Sequence, residues 1–114
     1  MVGILHLHSD WLMLLFVKGH FLHALRNGSK TLEIRAGSRY ARIRPGHVLA
    51  VNGRQLRLRV GQVERFEGLG ELLESLATRH RAVGFDSMAE LCAALRICYP
   101  KELPPYIVLH VTPL

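Results

Sequence analysis

Residues 48–66, VLAVNGRQLRLRVGQVERF, constrain the fold more than any other stretch of the chain. The apolar run VLAV is followed by Asn52-Gly53, a dipeptide that tolerates positive φ at both positions and favours the primed two-residue turn that matches strand twist. Beyond it, Leu56, Leu58 and Val60 alternate with Arg57 and Arg59, the period-two pattern of a strand with one apolar and one basic face. Gly61 interrupts this alternation and Val63 resumes it, which predicts a β-bulge.

Other segments supply the partners. LMLLFVK (12–18) reads as a buried strand, and GHFLHALRNG (19–28) as a short helix with Phe21, Leu22 and Leu25 inward and Asn27-Gly28 as its stop. TLEIR (31–35) alternates and reads as a half-buried strand, while AGSRYARIRPGH (36–47) has the composition of a surface loop. GLGELLESLATRH (68–80) carries Leu69, Leu72, Leu73 and Leu76 on one helical stripe. SMAELCAALRICY (87–99) reads as a further helix with Ser87 as N-cap and Glu90 as its capping-box partner. YIVLHV (106–111) closes the chain as a strand. The order β-α-β-β-β-α-α-β points to an α+β domain, a strongly curved sheet or small barrel flanked by helices.

At 114 residues the chain suits one domain, and 49% hydrophobic content with 21% charged residues is enough for a core and argues against disorder. Its formal charge is +6, with twelve Arg against three Lys, which favours an anionic partner; guanidinium grips phosphate and stacks on bases, though ordinary surface charge explains the excess equally well. Cys92 and Cys98 are spaced toward different helix faces and read as reduced, packed thiols. The apolar run at 12–17 is too short to span a membrane, and the start lacks a basic leader and a cleavage site, so a cytoplasmic location is expected. Nucleotide-triphosphate and structural-zinc signatures are missing from the sequence. No cofactor or metal is expected: His6 and His8 would share a face only if extended, and His20 and His23 lack a third ligand at useful spacing.

NGSKTLEIR (27–35) concentrates the polar chemistry. With Leu32 and Ile34 inward, Thr31, Glu33 and Arg35 share the opposite face, and Gly28 lets the chain turn so that Lys30 bends back toward them. On a solvated face these groups form a modest surface ion pair, the reading that pattern alone favours. In a cleft the carboxylate becomes a proton carrier or hydroxyl reader, and the cations bind phosphate or carbonyl oxygens.

Gly28-x-Lys30-x-x-Glu33-x-Arg35 resembles the G-x-K-x-x-E-x-R signature of ASCH domains, which belong to the PUA-like superfamily, and it falls after a first strand and helix as it does in that family. The similarity continues through Arg44-Pro45-Gly46-His47-Val48-Leu49, with His47 where Asp is usual, and through Val63–Phe66 to Tyr99-Pro100. It spans residues 12–114, leaving 1–11 as a short N-terminal extension. The resemblance implies a small PUA-like β-barrel with helices around it, a cleft lined by the signature, and a role in binding RNA or a modified nucleoside. It also implies an alternative, since some relatives are hydrolases. One small bacterial branch deacetylates acetylated cytidine and has an ending similar to His80–Pro100, and other relatives cleave RNA.

In the deacetylating branch the signature lysine works with a threonine three positions later and a glutamate from the loop before the last helix. Lys30 matches the lysine, Glu33 stands at the threonine position, and Gly84 stands at that of the loop glutamate, with Asp86 the nearest carboxylate to replace it. For a hydrolase, Lys30 and Glu33 are therefore the catalytic candidates, Glu33 as base and Lys30 polarising an oxygen. The candidate ligand-binding residues are Arg35, Thr31, Arg39, Tyr40 and Arg42. The last three, with Arg44, place an aromatic ring among arginines, a mixture that stacks a base while neutralising phosphate or else forms a solvated loop with Tyr40 capping the barrel. Arg57 and Arg59 form a basic strip that suits a nucleic-acid backbone or an outer sheet face. His80 is expected at a helix C-terminus, where an imidazolium suits the dipole, and Tyr99 is expected to pack the last helix on the barrel.

Overall fold

The computed structural model describes residues 4–7 and 10–114, with side chains from residue 13 onward. Strands β1 (Ile4–Leu7) and β2 (Asp10–Leu15) lead into helix α1 (Gly19–Asn27), followed by β3 (Leu32–Ala36), a 3-10 turn (Ser38–Arg42), β4 (Val48–Val51) and β5 (Leu56–Phe66). Helices α2 (Leu69–Leu76), α3 (His80–Val83) and α4 (Met88–Cys98) precede the last strand, β6 (Tyr106–Pro113). The strands form one six-stranded sheet in the order β1-β2-β4-β5-β6-β3. Neighbours run antiparallel except β2 and β4, whose parallel pairing uses α1 and β3 as its crossover.

The sheet curls on itself. Between β2 and β3 lie three other strands, which in a flat sheet would hold the two ~19 Å apart at strand spacing. Yet Arg35 on β3 donates from Nη2 to the carbonyl of Phe16, just after β2, at 3.0 Å. The bulge expected at Gly61 contributes to the bend: Val60 pairs with Val111 and Val63 with Leu109, so β5 carries an extra residue there.

Curling leaves β6 and β3 covered on both faces. Ile107, Leu109 and Val111 of β6 join Met13, Leu15, Leu49, Leu58 and Ile43 in the core inside the curl. Tyr106 and Val108 face outward with Leu32, Ile34 and Ala36 of β3, under Leu72, Leu76, Leu91 and Leu95 of the helical layer. Glu33 pairs with Leu109 and Arg35 with Ile107, which sets both polar side chains on the inner face. The half-buried strand expected at 31–35 is thus corrected: its apolar face lies under helices, and its polar face turns into the curl, where Glu33 is 3% exposed.

Several local expectations change with their physical causes. A strand at 4–7 pairs with β2, which itself starts at Asp10; neither shows in the periodicity of that stretch. The hairpin connection spans residues 52–55, since Val51 pairs with Leu56, in place of the two-residue turn expected from Asn-Gly. Asn52 and Gly53 do adopt positive φ, 49° and 74°, and the Asn52 side chain is diverted to a tertiary task. Its Oδ1 accepts from Val17 N–H at 2.9 Å and its Nδ2 donates to the Val17 carbonyl at 3.0 Å, continuing the parallel ladder past the end of β2.

The helix expected at 68–80 ends at Leu76, and a separate four-residue turn begins at His80. His80 therefore opens a helix instead of closing one, and its Nδ1 is buried without a partner among the described residues. Between the two helices Arg79 is drawn to β5, where it clamps Glu64 through Nη1 at 2.7 Å and Nη2 at 3.1 Å. Ser87 caps α4 as expected, accepting from Glu90 N–H at 3.2 Å, while the Glu90 carboxylate takes the N–H of Asp86. The loop at 36–47 contains a 3-10 turn and sends Ile43 into the core, fully buried. Cys92 and Cys98 are both free, as expected, but Cys98 is exposed, not packed.

Candidate functional site

Helix α1 ends where Gly28 takes φ +83°, its N–H bonding the Leu25 carbonyl at 3.3 Å, and Asn27 Oδ1 accepts from Ser29 N–H at 2.8 Å. This tight exit turns the chain back so that Lys30 N–H meets the Ala24 carbonyl at 3.1 Å and the Lys30 side chain enters the protein, 4% exposed. Its Nζ donates to the carbonyls of Leu32, at 2.6 Å, and Val83, lies 3.1 Å from Glu33 Oε1, and sits 4.9 Å from the centre of the Phe21 ring. Burial pushes the ammonium below the usual 10.5, and the adjacent Glu33 carboxylate pulls it partly back.

On its other side Glu33 Oε2 accepts from Arg35 Nη1 at 2.6 Å, and that nitrogen also donates to the Ile34 carbonyl at 2.8 Å. The carboxylate thus lies between two cations, leaving the trio with net positive charge in a place of low dielectric. Lys30 Nζ, 3.1 Å away, is the ionic partner of Glu33 Oε1, so both carboxylate oxygens are matched by a cation.

The trio borders a cavity of about 310 Å³. Its apolar wall brings Phe16 from the end of β2, His20 and Phe21 from α1, Phe85 from the turn before α4, and Leu95 and Tyr99 from the end of α4. Phe21 and Phe85 meet edge to face with centroids 5.5 Å apart. Tyr99 packs on Tyr106, as the sequence suggested, and also borders the cavity, with burial raising its phenol above the usual 10.0. The arrangement offers an aromatic enclosure with one carboxylate, Glu33, and three cations, Lys18, Lys30 and Arg35, at the lower end of the size of small-molecule pockets.

Of the residues singled out in the sequence, Lys30, Glu33 and Arg35 come together at this cavity. Arg39 and Tyr40 border a neighbouring depression that also includes Arg35, and Tyr40 packs partly on the inner core. Thr31 is exposed and lies outside both, as does Arg42. Asp86 does not replace a loop carboxylate: its side chain is 91% exposed and 4.0 Å from Arg81. Gly84 leaves no room for one either, since a Cβ there would lie 2.8 Å from Phe21 Cε1. Arg59 of the basic strip donates to the Gly46 carbonyl at 2.7 Å, while Arg57 is exposed.

His23 is exposed on α1, and no metal-binding cluster of three or more side chains occurs among the described residues. The His6–His8 pair lies outside the described side chains. Sequence reading missed the aromatic wall: its members are far apart along the chain, and Phe16, Phe21 and Tyr99 read individually as packing residues, His20 as helix surface.

No family model matches the chain, and no curated protein matches it in sequence. Solved structures match its shape. The hypothetical protein PH0355 superposes with a TM-score of 0.77 at 17% identity over 93% of this chain and 100% of its own. PF0455 from Pyrococcus furiosus gives 0.67 at 22% identity over 93% and 98%. An ASCH domain from Lactobacillus crispatus gives 0.60 at 12% identity over 91% and 78%. The protein has the fold of the ASCH domain, α+β and PUA-like, with a curled β-sheet flanked by helices. No helix among the described residues is long and apolar enough to cross a membrane.

Proposed function

We propose that this chain binds RNA or a modified nucleoside by taking a base into the aromatic cavity over Lys30, Glu33 and Arg35. The observation that carries this reading is the aromatic-lined cavity with the Glu33 carboxylate, held between Lys30 and Arg35, on its border. A carboxylate bordering such a cavity can accept from a ligand N–H donor such as the exocyclic amine of cytosine or adenine, a pairing that carboxylates make in nucleic-acid recognition. Arg35, with its side chain 16% exposed, holds the carboxylate and adds a positive field for base carbonyls or phosphate. The aromatic wall suits a planar heterocycle, and the excess of arginine suits its backbone. A fold shared with ASCH domains is consistent with such a role.

Hydrolysis, of acetylated cytidine or of RNA, is the second reading, favoured by the 3.1 Å approach of Lys30 Nζ to Glu33 Oε1. Binding ranks first because two main-chain carbonyls already occupy the Lys30 ammonium and no further carboxylate among the described residues borders the cavity. The test titrates purified protein with the four ribonucleosides, acetylated cytidine and short single-stranded RNA, at low and raised salt, while products are followed by chromatography. The binding reading requires saturable binding that Glu33→Gln weakens, with no turnover; RNA binding should also weaken with salt as counterions are released. Turnover lost in Lys30→Ala would make the chain a hydrolase. Failure of every probe to bind or react at low salt would defeat both readings.

A further inference from the structure

We propose that the depression next to the aromatic cavity is a second nucleotide subsite, so that the ligand is a strand of RNA and not a free nucleoside; this rests on the reading above. The depression, of about 340 Å³, is bordered by Leu14, Leu15, Phe16, Arg35, Arg39 and Tyr40. Phe16 and Arg35 belong to both hollows, so the two are contiguous and Phe16 stands between them.

Phe16 is 83% exposed and Leu14 44%, an apolar surface that no described side chain covers fully. A large aromatic side chain in water forgoes the burial that usually justifies its presence, and a base supplies a flat face to cover it. Arg39 supplies the charge. Its guanidinium lies 5.5 Å from the centre of the Tyr40 ring and makes no hydrogen bond or ion pair among the described residues, which leaves its N–H groups for a phosphate. Among the described residues none bordering this second hollow is acidic, and the sole carboxylate bordering the first, Glu33, is held between Lys30 and Arg35. A base in the cavity with its neighbour stacked on Phe16 places the linking phosphate on the side of Arg39.

The test compares a mixed-sequence RNA pentamer with the single ribonucleosides by calorimetry on the full chain, for the unaltered protein, Arg39→Ala and Phe16→Ala. Both residues are exposed, and circular dichroism verifies that the variants fold. The expected result is that the pentamer binds about tenfold or more tighter than the best nucleoside, as one extra stacked base and one phosphate contact warrant. Each variant should bring that ratio toward one, and the pentamer's advantage should shrink with salt. If nucleosides bind and the pentamer gains nothing, or if the variants leave the ratio unchanged, the second subsite is overturned while the nucleoside cavity stands. If neither probe binds, both fall. An advantage insensitive to salt would also overturn the phosphate role of Arg39.

Discussion

Arg35 Nη2 donates to the main-chain carbonyl of Phe16 at 3.0 Å, while Nη1 of the same guanidinium holds Glu33 Oε2 at 2.6 Å. One side chain therefore performs two tasks: it ties the last strand of the sheet order to the end of β2, and it fixes the carboxylate at the cavity. The planar fork of arginine makes this possible, because its donors point in set directions to two acceptors at once. The closure of the curl and the geometry of the candidate site are therefore expected to respond together.

Arg35→Lys should show the coupling. A lysine keeps the charge but offers one nitrogen at a different reach, so at least one of the two contacts is lost. Hydrogen bonds to charged groups are worth about 1.5–3 kcal/mol, and stability measured by urea denaturation should fall by an amount of that order. Nucleoside or RNA affinity should fall with it. A lysine variant with unaltered stability and binding would show that the guanidinium fork is dispensable.

The buried pair of Lys30 and Glu33 makes a second prediction. Removing one partner leaves the other charge in a low-dielectric place, and Lys30→Met or Glu33→Gln alone should cost ~3–5 kcal/mol. The double variant should cost less than the sum, because the buried ammonium and carboxylate disappear together and only the partly exposed Arg35 is left without its partner. The cycle is read from urea midpoints of the four proteins. Strict additivity would mean that the 3.1 Å approach carries no coupling.

Much of this could be read from the chain, and the failures share a cause. The bulge at Gly61, the Ser87 cap and the placing of Glu33 and Arg35 opposite Leu32 and Ile34 all follow from local rules of period and turn chemistry, and the structure has them. Which face of β3 meets water is not local. It depends on the sheet rolling far enough for β3 to reach Phe16, and on helices from residues 69–98 covering Leu32 and Ile34. A two-residue period gives the same alternation whether the second face is solvated or enclosed. The aromatic wall was hidden for the same reason, since Phe16, Phe21, Phe85 and Tyr99 meet only after folding. Asn52 shows a local rule overruled: its turn preference is used, but its amide serves Val17.

The pH dependence of stability should report on Glu64. Its carboxyl is held below the usual 4.5, chiefly by the Arg79 guanidinium, with His110 helping and partial burial opposing. A carboxyl lowered in the folded state contributes stability above its unfolded value, near 4.5, and that contribution disappears as pH falls through the lower folded value. Arg79→Ala removes the largest cause. The gap in urea midpoint between the unaltered protein and the variant should be widest near neutral pH and narrow as the solution is acidified below about 4.5. A gap that stays constant to low pH would show that Arg79 acts through its contacts with Ser75 instead.

Gly84 links the backbone to the cavity and gives the last prediction. It holds φ +104°, a region that L side chains rarely adopt, and an added Cβ would lie 2.8 Å and 3.1 Å from Phe21 ring atoms and 3.3 Å from Lys30 Cδ. Gly84→Ala therefore incurs backbone strain, of order 1–3 kcal/mol, and a clash that only movement of Phe21 relieves. Movement of Phe21 disturbs its edge-to-face contact with Phe85 and the cover over the Lys30 ammonium, so ligand affinity should drop along with stability. Phe21→Leu separates the two costs, since a smaller side chain relieves the clash and leaves the backbone strain. Combined with Gly84→Ala it should lose less stability than the two single changes add up to, measured by urea denaturation. Additive losses would place the whole effect in the backbone and show that the ring does not limit what residue 84 can be. By the same geometry Gly84→Glu should destabilise the protein without creating deacetylation of acetylated cytidine, because the added carboxylate meets Phe21 before it can approach Lys30 Nζ.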